Sequence, residues 1–234
     1  MNSNALRVLQ DEVIACRRCP RLVAYRAEVA RVKRRAYLAW DYWGRPVPSF
    51  GDPRAELLIV GLAPGAHGSN RTGRMFTGDV SGNVLYRVLC QTGFASQPQS
   101  VSRDDGQRLI NAYITAVVRC VPPANKPTRQ EIDHCLSYLE RELNLLRRVK
   151  VVVALGRVAF DNYLSVLQTR GLIRSRAAFA FGHNRVFETA PGQPLLISSY
   201  HPSQQNTSTG RLTEEMLAAV FRRARMTISE STSK

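Results

Sequence analysis

No run of apolar residues in this 234-residue chain approaches the ~18 consecutive residues that a membrane-spanning helix needs. The N-terminus, MNSNALRVLQDEV, lacks the hydrophobic stretch of a secretory signal, and no lipidation signal is present. These absences point to a soluble, cytoplasmic protein. Acidic residues are also scarce. Against 33 Lys and Arg stand only 18 Asp and Glu, a formal charge of +15. Such an excess suits a polyanionic partner, because arginines that replace counterions on phosphates drive nucleic-acid binding. Three nucleotide or hydrolase signatures are missing. No Gly-Lys-Ser/Thr follows the glycine-rich loop at Gly61, Pro64 breaks a dinucleotide-binding turn, and there is no G-x-S-x-G nucleophile elbow. There is no internal repeat.

What is present begins with an apolar run, Leu57-Leu58-Ile59-Val60, which reads as a buried parallel strand. It opens into GLAPGAHGSNRTGRMFTGD, from Gly61 to Asp79. A strand that leads into a Gly/Pro loop ending in a carboxylate is how an open α/β sheet builds a ligand crevice. Three further runs predict strands over Tyr113 to Val118, Val149 to Leu155 and Leu195 to Ser199. Helices are expected at Asn4 to Ile14, Arg26 to Arg35, Ser81 to Gln91, from the Thr128 to Glu131 capping box to about Leu146, after Gly156, and over Thr213 to Arg225. Ala178 to Phe187, turning at Gly182-His183-Asn184, predicts a small hairpin. This alternation argues an α/β fold, a three-layer α/β/α sandwich around a four-stranded parallel sheet. One domain is expected over residues 1–226, with a disordered tail over 227–234.

In such a sheet the loops after the strands share one rim, bringing together Gly61 to Asp79, Cys120 to Lys126, Gly156-Arg157 and His201 to Thr207. The rim then holds a carboxylate (Asp79), a histidine (His201), an amide (Asn125) and an aromatic ring (Phe76). That set suits a reaction with a cation developing on one fragment and an anion on the other. For a basic protein, loss of a base from deoxyribose fits, with Phe76 stacking on the flipped base. Taken singly, Asp79 reads equally well as a helix N-terminal charge and His201 as a turn residue. A non-catalytic, metal-stapled nucleic-acid-binding module would share the charge and the cysteines but has no need of Asp79, Asn125 or Phe76.

Five cysteines stand at 16, 19, 90, 120 and 135. Cys16 and Cys19 form C-x2-C, and with Cys120 and Cys135 they supply four thiolates for zinc or an iron–sulfur cluster. Cys90 lies in an apolar helical pattern and reads as a core residue.

The loop GLAPGAHGSNRTGRMFTGD, the four cysteines, VRCVPPANKPT and HPSQQN together resemble the uracil-DNA glycosylase superfamily, and in particular its iron–sulfur family 5. The resemblance runs from Cys16 to the last helix. It implies a [4Fe-4S] cluster on Cys16, Cys19, Cys120 and Cys135. It implies catalytic roles for Asp79, Asn125 and His201, the last binding the departing base. It also implies a base pocket of Gly61, Leu62, Ala63, Phe76 and Ala116, with DNA contacts from Arg71, Lys126, Ser203, Asn206 and Arg211. The substrate implied is double-stranded DNA carrying uracil or other damaged bases, attacked by a monomer. Two positions depart from the sister iron–sulfur family: Leu62 replaces a glutamate and Ala116 an asparagine. The loss of the glutamate at Leu62 shifts the chemistry toward Asp79, and the two changes together loosen the choice of base. No lysine in the motifs offers a Schiff-base nucleophile.

Overall fold

The computed structural model describes residues 2–231. Two helices lead, α1 (Asn2–Ala15) and α2 (Pro20–Val32), the second starting on a proline whose fixed φ suits a first helical turn. An irregular stretch then runs to β1 (Phe50–Gly51), and β2 (Leu57–Gly61) opens the long loop that holds the one-turn α3 (Ser69–Thr72). There follow α4 (Val80–Gln91), β3 (Ala112–Ala116), α5 (Arg129–Leu145), β4 (Val151–Leu155) and α6 (Arg157–Thr169). Last come β5 (Arg185–Phe187), β6 (Leu195–Ser199), α7 (Gln204–Ser208) and α8 (Glu214–Glu230).

The sheet has six strands in the order β1-β3-β2-β4-β6-β5, where four were expected. The four expected strands form its parallel centre, and the two additions are short antiparallel edges. A strand of two residues is too short to show a period, so no sequence pattern announces β1. The hairpin expected within Ala178 to Phe187 is also displaced. Asn184 does turn the chain at φ 56, but β5 pairs forward with β6. Phe179 and Phe181 instead fold into the core against Phe187 and Phe160.

The pleat divides the core. Leu57 and Ile59 face α4 and α8 in one cluster with Leu85, Leu89, Leu217 and Phe221. Leu58 and Val60 face the other way, toward Leu139 of α5 and Phe160 and Tyr163 of α6. The capping box predicted at Thr128 is formed, its hydroxyl accepting from the Glu131 N–H while Glu131 accepts from the Thr128 N–H. The tail expected from residue 227 is helical up to Glu230, with Ile228 packed into the core; residues 232–234 lie outside the described residues. Among the described residues, no helix is long and apolar enough to cross a membrane.

Candidate active site

The register of β2 against β3 sets Gly61 beside Ala116 at the carboxyl edge of the sheet. Only a glycine fits at 61. A Cβ there would stand 2.9 Å from two ring atoms of Phe76, whose side chain reaches the strand end. Phe76 itself adopts φ 52, a left-handed conformation that a bulky residue enters only at a cost. Its ring is therefore held in place by the fold around it.

Asp79 ends the loop as the N-cap of α4, its Oδ1 accepting from the Gly82 N–H at 2.9 Å. The helix-cap and reactive readings of Asp79 thus occupy different oxygens. Oδ2 turns back toward the glycine-rich loop, so near that a Cβ on Gly68 would sit 2.0 Å from it. Burial pushes the Asp79 carboxyl above the usual range, opposed by the Gly82 N–H, the charge of Arg71 and the Ser81 N–H.

Asp79, Phe76, Leu62, Ala63, Ala116, Asn125, His201 and Ser203 line one cavity of about 700 Å³. The Phe76 and His201 rings are 5.7 Å apart and tilted by 30°. Burial lowers the His201 pKa to about 4, so the imidazole is neutral at physiological pH. Part of its surface still opens to the cavity. Asn125 sits exposed at the mouth in a second left-handed position, φ 57, following Ala124 at φ 51. A Cβ on Gly156 would stand 3.3 Å from that of His201, but Arg157 turns away to lie over Phe181.

The four expected cysteine ligands line one narrow cleft, with Arg18, Arg119 and Tyr138 beside them. Arg26 donates from Nη1 to Cys120 Sγ at 3.0 Å and from Nη2 to the Cys16 carbonyl. Burial raises the Cys19 thiol to about 11 and Cys120 to about 12. Left to themselves Cys19 and Cys120 stay protonated, whereas the Cys16 thiol is lowered, its burial outweighed by the hydrogen bonds from Arg18 and Tyr138. Among the described residues, no group of three or more His, Cys, Asp or Glu side chains closes on a single metal ion. Four soft sulfurs facing one cleft, one already taking a hydrogen bond from a buried guanidinium, suit a centre ligated wholly by sulfur. Cys90 is elsewhere, packed on the α4 side of the core.

The family model for the uracil DNA glycosylase superfamily matches residues 48–225. The chain belongs to that superfamily. It is 51% identical over 211 residues to the type-5 uracil-DNA glycosylase of Thermus thermophilus, covering 90% of this chain and 93% of that protein. It is 47% identical to the type-5 uracil-DNA glycosylase of Pyrobaculum aerophilum, over 92% and 89% of the two chains. With the type-4 uracil-DNA glycosylase of Archaeoglobus fulgidus it shares 37% over 67% of this chain and 70% of that one.

In this member of the glycosylase superfamily, the residues expected to contact DNA differ in how far they are exposed. Lys126 and Arg211 are exposed, Arg211 lying over the Tyr200 ring at 4.8 Å. Ser203 reaches the cavity wall, while its hydroxyl caps α7. Asn206 donates to the His201 carbonyl at 2.9 Å, fixing that loop. Arg71 is the correction. Expected against the DNA backbone, it is 3% exposed, and its guanidinium lies 4.0 Å from the ring centres of both Tyr37 and Trp40. The same stretch supplies cavity residues that sequence reasoning missed, Arg34 and Tyr37, and the loop adds His67. A pair of arginines followed by four aromatics over residues 34–43 was the available signal.

Proposed function

We propose that this chain is a monofunctional uracil-DNA glycosylase, hydrolysing the bond between base and deoxyribose as the first step of base excision repair. The observation that supports it is the convergence of Asp79, Phe76, Asn125 and His201 on one cavity at the carboxyl edge of the parallel sheet. The +15 charge favours a DNA substrate. Double-stranded DNA would bind across the rim and surrender the damaged nucleotide by flipping, with Lys126 and Arg211 on its phosphates.

Inside the cavity Phe76 stacks on the base. The C1′–N bond breaks with its electron pair leaving on the base, and the sugar becomes oxocarbenium-like. Asp79, ionised and with Oδ2 free of the helix cap, steadies that cation and orients water, whose oxygen bonds to C1′ as its proton passes to the carboxylate. Neutral His201 donates a hydrogen bond to the anionic base as it departs. Asn125, held at the mouth, orients the nucleotide. No lysine lines the cavity among the described residues, in keeping with simple hydrolysis.

Base choice is loose in this reading. Ala116 offers no side-chain hydrogen bond and Leu62 presents an apolar wall, so hypoxanthine and etheno adducts enter along with uracil. Cys16, Cys19, Cys120 and Cys135 would hold a [4Fe-4S] cluster. The cluster would supply a structural tie between the N-terminal helices, the end of β3 and α5. The enzyme acts as a monomer in the cytoplasm.

The test is incubation with a uracil-containing duplex oligonucleotide, followed by alkali. Strand cleavage only after alkali is the expected result. Tight binding with no abasic product would favour the non-catalytic module.

A further inference from the structure

Arg71 is an odd residue to find sealed inside a loop. Two aromatic faces enclose its guanidinium. Nε donates to the His67 carbonyl at 2.7 Å and Nη2 to the Gly78 carbonyl at 2.8 Å, while Nη1 is buried with no hydrogen-bond partner. Desolvating a guanidinium is expensive, and two carbonyls and two rings return only part of that cost. A cation buried on such terms has a task that a neutral residue could not perform. Its position indicates which one. His67 precedes the glycine that touches Asp79 Oδ2, and Gly78 immediately precedes Asp79. The backbone around it is tied as well, with Trp43 N–H donating to the Arg71 carbonyl and Gly44 N–H to that of Asn70.

We propose that Arg71 is a positioning residue for catalysis, a fixed positive partner that joins the two ends of the 67–78 loop and holds the Asp79 carboxylate in place. This rests on the reading of Asp79 as the carboxylate that acts as an anion. Burial alone drives Asp79 toward its neutral form, and after the Gly82 N–H the charge of Arg71 is the strongest influence opposing it. The other groups facing the cavity are Arg34 and Tyr37 from the N-terminal arm, His67 from the loop and His201 from the segment after β6. Burial, then Arg34, then Arg71 lower the pKa of His67, and burial lowers that of His201, so both rings are neutral at working pH. The persistent cations are Arg71 and Arg34, and only Arg71 is locked in place. Tyr37 and Trp40 keep water from screening it.

Single-turnover excision rates on a uracil duplex, measured across pH for wild type, Arg71→Met, Arg71→Lys and Asp79→Asn, test the proposal. For Arg71→Met, the acid limb of the profile should rise by about one unit or more. The plateau should fall by roughly 10²-fold, as for a misplaced reacting group. Arg71→Lys keeps the charge without the fork, so its limb should stay while its plateau falls. DNA affinity should keep its salt dependence in both. An unmoved limb in folded Arg71→Met overturns the proposal. So does a salt slope lower by about 1, which would place Arg71 on a phosphate instead. Should Arg71→Met fail to fold, Arg71→Lys decides, and a wild-type plateau or a shifted limb there overturns the proposal. Full activity in Asp79→Asn would sink the reading of Asp79 itself. An inactive Asp79→Asn beside an unmoved Arg71→Met limb would sink only the role of Arg71.

Discussion

Arg71 and Arg119 are both almost wholly buried, and the fold surrounds them in opposite ways. Arg119 meets a carboxylate, with Nη2 on Glu142 Oε2 at 2.5 Å. Glu142 is in turn saturated by donors from three other places: Gln10 on α1, Ser49 before β1 and Thr115 on β3. Arg74, three residues after Arg71, is likewise matched, by Asp105 at 2.7 Å. Arg71 is given carbonyls and rings. A cation in contact with its anion spends its field locally and ties elements together. A cation served only by neutral groups keeps its field for something farther off, and here that is the wall of a cavity. The difference separates buried charge that builds from buried charge that works.

Glu142→Ala should have the largest effect. It strands Arg119 and should cost about 3–5 kcal/mol in denaturant unfolding, with the excision rate per folded molecule unchanged. A catalytic loss beyond the loss of fold would erase the distinction between the two arginines. Asp79→Asn should do the reverse, lowering single-turnover excision by ~10²-fold or more while melting near the wild-type temperature, since asparagine caps a helix about as well as aspartate. For His201 the expected outcome is a rate that stays flat as pH falls through 6.5, because the folded imidazole is neutral down to about 4. Stability should fall over that same window, as the unfolded chain takes up a proton that the folded site refuses. Replacing His201 with glutamine should remove that part of the pH dependence. The smallest effect belongs to exposed Lys126, whose replacement by alanine should lower the salt slope of DNA binding by about 1 and leave the saturated rate alone.

How much of this the sequence revealed follows from the range of the interactions involved. The strand Leu195–Ser199 and the Thr128 cap were legible because a local pattern determines each. The rim was legible because a parallel sheet places every following loop on one edge. Arg71 was misread because composition marks it as basic and polar, and only tertiary structure brings Tyr37 and Trp40 over it. His67, Arg34 and Tyr37 were missed, the last two despite the aromatic residues that follow them, because only the fold brings the three to one cavity wall. The left-handed backbone of Phe76 had no signal either, since a bulky aromatic residue seldom adopts it.

The two short edge strands bear on a different matter, the company the protein keeps. A parallel sheet whose outermost strand is long and bare is a template on which another copy can add a strand. Here β1 offers two residues, bracketed by Pro48 and Pro53, and β5 offers three, led by Arg185. Each covers its neighbour and presents too little backbone, too interrupted or too charged, to recruit another strand. Copies crowded together along one stretch of nucleic acid would therefore have little tendency to zip into aggregates, even while each waits with its sheet's other rim open.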